Sequence, residues 1–367
     1  MRPRERNLHD LHRIATHVNI PMQETPMTRH LKRIMMMRFR NNSFKRRPVT
    51  RSGIMITGGG YQGKTESACE IAAQFEEEWL TITRRLNPQA LPGTRDIHVP
   101  VSYVQTPVTA KPIATCRAIL DFFGADYHKM GLTELTKAVR TSLNDHGVRV
   151  LILDDITRLK MHRADDQDTL DMLRAFMSMN TTLVLIGVNI PGSGLLREGT
   201  PDPRTDQIVF RVENDEDPAT QTERRFDLLH LRPFSYDTDR DIKAWETYLA
   251  SLETHLRLFN APRKGMLTGG TMPEYLFRRT NGVAGLLERL IEDGCAEAMN
   301  TEAEVLTEEL LDDIGINLGN DPRRDAAAGE VPAVPAKTPA ASKKPSHRGR
   351  NKVFDDHGIP LGESISA

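Results

Sequence analysis

The chain has 367 residues, a formal net charge of −1, 38% hydrophobic and 27% charged residues. That length implies two or three structural units, and no apolar run is long enough to span a membrane or to form a signal core, so a cytoplasmic protein with no membrane partner is expected. Cys69, Cys116 and Cys295 lie far apart without C-x-x-C spacing, which argues against a zinc site or a disulfide framework and for a reducing compartment.

The near-neutral total hides an uneven distribution. Residues 1–51 carry 13 Lys/Arg against 3 Asp/Glu, and the remainder is acidic overall. Residues 1–50 therefore read as a basic N-terminal arm, with a basic helix over Met27 to Phe39: Leu31, Ile34, Met35 and Phe39 on one side, Arg29, Lys32, Arg33, Arg38 and Arg40 around it. Such an arm points to an anionic partner, and the lack of a large apolar aromatic face favours DNA over lipid.

Residues 51–235 alternate strand and helix patterns. Gly53–Thr57 is a short apolar run. Gly58-Gly59-Gly60-Tyr61-Gln62-Gly63-Lys64-Thr65 follows it and fits G-x-x-x-x-G-K-[ST], and Glu66 to Leu80 has helical spacing. Strand, glycine-rich turn and helix form a context in which backbone N–H groups and a helix N-terminus surround phosphate oxygens. Further strands are expected at 97–104, 148–155, 182–189 and 227–231. Helices are expected at Ile113–Phe123 (Gly124 as its stop), Leu132–Leu143 and 167–179, giving a parallel α/β sheet. From Tyr236 the pattern is wholly helical. Ile242, Trp245, Leu249 and Leu252 share one face, Val283, Leu286, Leu287, Leu290 and Ile291 another, and Leu306–Ile314 is a last helix with Thr307 as its cap. This predicts a small helical lid at 236–318. Residues 319–367 are rich in Ala, Pro, Lys and Ser and are expected to be disordered, with Lys352 to Leu361 as a terminal docking peptide or an inert end.

Phosphoryl chemistry assigns the parts. Residues Gly58 to Thr65, with Glu66, would hold ATP. Lys64 would reach the β/γ-phosphates, and the Thr65 hydroxyl and Asp154 would hold Mg2+. Asp155 stands where a water-orienting carboxylate belongs but is one methylene shorter than Glu, so slow turnover is expected. Asn189 at the end of its strand could bond the γ-phosphate or the water, and Asn-x-Pro-Gly is equally ordinary turn chemistry. Arg224 and Arg225 precede the strand-like Asp227–Leu231 as a candidate arginine finger for a neighbouring subunit, or as an exposed basic helix end.

In order and spacing these segments resemble the AAA+ ATPases of transposons, the TniB/TnsC family, over roughly residues 25–318. The likeness is carried by the phosphate loop Thr57–Thr65, by Tyr103-Val104-Gln105-Thr106-Pro107 with Lys111, and by Gly147 to Ile156. Leu185–Val188, Arg225-Phe226 with Leu231-Arg232-Pro233-Phe234, and Gly282–Leu290 complete it. Departures are Asp155 for Glu, Thr157 for His, Pro233-Phe234 near a usual Pro-x-Trp, and Gly285 near the position of a sensor 2 arginine. The resemblance implies a P-loop AAA+ fold with three layers and a helical lid. It also implies an ATPase forming a homo-oligomeric ring or helical filament on double-stranded DNA, which recruits a transposase and a target-selection protein. Lys111, Arg117, Arg158, Lys160 and Arg163 are the core candidates for phosphate contacts. A signalling or defence NTPase, and a helicase or replication-initiator loader, are the competing readings.

Overall fold

We describe a computed structural model of the chain over residues 3–47, 49–89, 97–107, 111–158, 167–190, 200–201, 208–209 and 222–316. The expected tail at 319–367, with its docking segment, lies outside these residues.

Two helices open the chain, α1 (Pro3–His17) and α2 (Pro26–Phe44). Strand β1 (Gly53–Thr57) runs into α3 (Lys64–Leu86), and β2 (Val101–Gln105), α4 (Pro112–Phe122), α5 (Leu132–Asp145) and β3 (Val150–Asp154) follow. Next come α6 (Gln167–Met177), β4 (Thr182–Gly187), the two-residue antiparallel pair β5 (Thr200–Pro201) and β6 (Ile208–Val209), and β7 (Phe226–His230). Helices α7 (Asp239–Glu253), α8 (Met272–Thr280), α9 (Ala284–Asn300) and α10 (Glu308–Asp312) complete it.

The main sheet has the order β2-β3-β4-β1-β7, with all neighbours parallel. Alternation along each central strand sends apolar side chains to both faces. Ile54, Ile56, Val150, Ile152, Val184 and Ile186 join the core under α2 and α3. Met55, Leu151, Leu153, Leu183 and Leu185 join the core under α4, α5 and α6. The result is the expected three-layer α/β architecture.

Strand limits differ from the sequence reading for local reasons. The second strand begins at Val101 and not at 97, because Pro100 has no N–H for a ladder. The fourth stops at Gly187, since Val188 and Asn189 are exposed and Asn189 turns to φ +51. Helix α8 was not anticipated.

The basic N-terminal segment is also not an arm standing off the body. Leu31, Met35 and Phe39 are 1%, 0% and 0% exposed and pack with Ile54, Ile71 and Phe75. Burying three such side chains is worth about 1.5–3 kcal/mol each, enough to hold the helix down. Thr25 caps α2 reciprocally with Thr28 (Thr28 N–H to Thr25 Oγ1, 3.0 Å; Thr25 N–H to Thr28 Oγ1, 2.8 Å). Arg29 pairs with Glu24, Arg38 with Asp227 and Arg40 with Glu78, so three of the five cations expected to face DNA are engaged by the protein itself.

Candidate nucleotide site

The phosphate loop leaves the C-terminal end of β1, a central strand, and enters α3. Gly63 is the N-cap of α3 at φ +66, a left-handed backbone that glycine adopts without strain. At Gly58 a Cβ would fall 2.4 Å from Gln62 Oε1 and 2.5 Å from the Leu231 carbonyl, so the loop packs directly on the chain beyond β7. Gln62 Oε1 accepts the Gly59 N–H at 2.8 Å, and Lys64 Nζ donates to the Gly59 carbonyl. Burial pushes the Lys64 ammonium below its ordinary pKa, while Asp154 and Asp155 push the other way.

Asp154 ends β3, which β4 separates from β1, and Asp155 follows it. Asp154 is 4% exposed. Its Oδ2 accepts from Thr65 Oγ1 at 2.7 Å and from the Tyr103 hydroxyl at 2.8 Å, and its Oδ1 accepts the Asp155 N–H at 2.7 Å. Burial, then the bond to Asp154, holds the Tyr103 phenol above its usual pKa, so it remains a donor. Asp155 sits at φ +53, and Gln105 Nε2 donates to its Oδ2 at 3.2 Å. Tyr61 (φ +56), Asp155 and Asn189 (φ +51) are all non-glycine residues in left-handed backbone, a conformation that concentrates at functional sites because the surroundings must hold it in place.

The oxygen donors fit a magnesium ion carried on a nucleotide. Mg2+ takes hard oxygen ligands, commonly one or two carboxylates plus phosphates and waters. Thr65 and Asp154, already bonded to each other, supply a hydroxyl and a carboxylate. Among the described residues no cluster of three or more His, Cys, Asp or Glu could hold a metal by itself.

Beside the loop, a pocket is lined by Gln62, Gly63, Glu66 and Ser67 from the loop side, by Met22, Gln23 and Thr28 from the N-terminal segment, and by Phe234, Tyr248, Gly285 and Glu288 from the lid side. Glu66 lies in the lining of this pocket. The N-terminal and lid residues went unrecognised, since only the fold brings them to the loop. Tyr248 donates to Glu288 Oε1 at 2.6 Å, and burial raises the pKa of both groups. The first turn of α9 touches the loop directly: the Gly285 N–H donates to the Tyr61 carbonyl at 2.9 Å.

Other candidates are placed as follows. Asn189 is exposed, two residues beyond β4, and the next residue bonds the β1 end through Ile190 N–H to Thr57 Oγ1 at 3.3 Å. Arg224 and Arg225 lie exposed in a short 3-10 turn just before β7. Phe226 pairs with Gly53, the start of β1, whereas the phosphate loop begins beyond its end. The arginines are therefore at the far end of the sheet from their own chain's loop, separated by a strand of about 15 Å. Lys111 is the N-cap of α4 and exposed, and Arg117 lies with its guanidinium 5.8 Å from the Tyr127 ring. Arg158 ends a 3-10 turn after β3. The Arg158 side chain, Lys160 and Arg163 lie outside the described residues.

Residues 22–191 match the family model described as Bacterial TniB protein. Over that segment the chain is similar to TniB proteins. No curated protein sequence matches it. Among solved structures, the Aeropyrum pernix ORC1 protein in complex with DNA superposes with a TM-score of 0.50 at 15% identity, covering 81% of this chain and 67% of that one. The Aeropyrum pernix ORC2 protein (ADPNP–ADP complexes) gives a TM-score of 0.49 at 16% identity, covering 79% and 68%. At these identities the likeness concerns the fold alone. The chain thus combines a P-loop fold with the loop, carboxylate and helical geometry described above. Among its described residues no helix is long and apolar enough to cross a membrane.

Proposed function

We propose that this TniB-like chain is an ATP- and Mg2+-dependent regulator of DNA transposition, which assembles as a homo-oligomer on double-stranded DNA and recruits or activates a transposase, in concert with a target-selection protein. The observation that carries the ATP part is the Thr65–Asp154 hydrogen bond at the mouth of a phosphate loop whose lysine is half-buried beside two carboxylates. ATP would lie with its phosphates on Gly58–Thr65 and its base toward the Glu66 pocket. Lys64 would neutralise the β/γ-phosphates, and bound Mg2+ would offset charge developing on the transferred phosphoryl group. Asp155, and Asn189 in second place, would orient the attacking water.

The position of the arginines supports the oligomer. Arg224 and Arg225 are too far from their own loop to touch its nucleotide, so a finger role requires a neighbouring subunit. The DNA part is supported by the TniB match and by the cationic residues 1–51, with Lys111, Arg117, Arg158, Lys160 and Arg163 as further phosphate contacts. The domain scheme, 1–50, 51–235, 236–318 and 319–367, belongs to the same proposal, with the tail recruiting partners.

The test is duplex-DNA binding by the full chain with ATP, with a non-hydrolysable analogue and with no nucleotide. ATP or the analogue should tighten binding, and a handful of phosphate contacts should weaken it by roughly 10²–10³-fold between 50 and 200 mM salt. DNA affinity that is indifferent to nucleotide would refute the proposal.

A further inference from the structure

Tyr103 has no part in the phosphate-loop chemistry as read from the sequence, yet its hydroxyl meets the carboxylate at the centre of it. In the parallel pairing of β2 with β3, Tyr103 lies beside Ile152 and Gln105 beside Asp154. Side chains of equal parity share a face of the sheet, so the phenol reaches forward along that face to Asp154. It bonds Oδ2, the oxygen that Thr65 also bonds, at 2.8 Å and 2.7 Å.

The identity of these donors matters. Both are neutral hydroxyls, so the carboxylate keeps its full charge for an incoming cation. With its proton directed at Asp154, Thr65 leaves its oxygen lone pairs available to a metal. The two O–H bonds on Oδ2 and the Asp155 N–H bond on Oδ1 together fix how the carboxylate is turned. Without the phenol, Thr65 would be the remaining hydrogen-bond donor to Oδ2 among the described residues, and Thr65 is itself a candidate ligand.

We propose that Tyr103 is a positioning residue for the divalent ion: its hydroxyl locks the Asp154 carboxylate so that Asp154 and Thr65 present their oxygens together to Mg2+ on the nucleotide. This rests on the nucleotide-site reading above. Groups that orient a metal ligand from outside the coordination shell typically contribute 10–100-fold in metal affinity.

The experiment uses the full chain and a fluorescent ATP analogue, titrated with Mg2+ in the wild type and in Tyr103→Phe, which loses one oxygen and keeps the ring. The Mg2+ concentration that half-maximally strengthens nucleotide binding should rise by roughly 10–100-fold, while affinity in EDTA stays within twofold. A Mg2+ midpoint within twofold of wild type overturns the inference. So does an equal loss of affinity with and without Mg2+, the mark of a merely structural hydroxyl. If the wild type binds no nucleotide, the site reading itself falls and this inference with it.

Discussion

Replacing Gly285 by alanine should loosen the grip of the lid on the nucleotide without unfolding it. Gly285 has an ordinary backbone conformation, so alanine is not excluded by φ; what excludes it is the Tyr61 carbonyl, 2.6 Å from where the Cβ would stand. Ordinary contact begins near 3.4 Å, so the first turn of α9 must retreat by about 0.8 Å. That stretches the 2.9 Å bond from the Gly285 N–H to the Tyr61 oxygen to roughly 3.7 Å, beyond hydrogen-bonding range. The lost bond costs about 0.5–1.5 kcal/mol and the overpacking about 1–3 kcal/mol, against a helix-propensity gain of up to about 1 kcal/mol. A net penalty of about 0.5–4.5 kcal/mol on the closed lid predicts nucleotide affinity weakened at least roughly twofold and up to roughly 2,000-fold. Leu287, Leu290 and Ile291 remain fully buried further along α9, so the fold survives. The assay is equilibrium binding of a fluorescent ATP analogue, with thermal melting as the control for folding. Wild-type affinity in Gly285→Ala would show that nucleotide binding does not draw on the lid–loop contact.

The remaining predictions concern the loop and the N-terminus. Lys64→Ala should abolish nucleotide binding, measured calorimetrically; tight binding retained by that variant would sink the phosphate-loop assignment. His17, 1% exposed, accepts the Arg257 N–H on Nε2 at 2.9 Å. Burial, aided by Arg13 and Arg257 and opposed by Glu304, lowers its pKa from 6.5 to about 4. Its folded pKa lies below the unfolded one, so the unfolded chain takes up the proton first. Stability should therefore fall as pH drops from about 6.5 to about 4 and level off below. Melting temperatures across that range should show a shallower fall in His17→Gln than in wild type, and parallel curves would refute the assignment.

The core strands were legible because each is a continuous apolar run between turn residues, and the phosphate loop because its glycines and lysine have a mechanism at fixed spacing. Tyr103 was quoted in the family likeness without a role, because its partner lies 51 positions away and only the β2–β3 register joins them. Met22, Gln23, Tyr248 and Glu288 are brought to the loop by packing of separate segments, which no local pattern encodes. Helix α1 is the more instructive omission. Its apolar Leu8, Leu11 and Ile14 are 60%, 63% and 37% exposed, while Arg13 is 5% exposed. Arg13 bonds Glu304 Oε2 at 2.6 Å and Oε1 at 2.9 Å, and also Asp10 at 2.6 Å. A periodicity reading would have turned this helix the wrong way round, because its orientation is set by a buried ion pair 291 residues apart.

That ion pair has a consequence for how the lid can travel. Through Arg13 and His17, α1 is fastened to the chain around Arg257 and Glu304, and through Leu31, Met35 and Phe39, α2 is fastened to the sheet. Residues 18–25 cross between the two fastenings, with Gln23 bonded to Ser251 and lying along the pocket beside the phosphate loop. The lid is thus suspended from two cables, this one and the direct run out of β7. A body hung from a single cable can swing in any direction; one hung from two has a preferred axis. Any displacement of α7–α10 relative to the sheet would have to be accommodated by residues 18–25 as well as by the run out of β7.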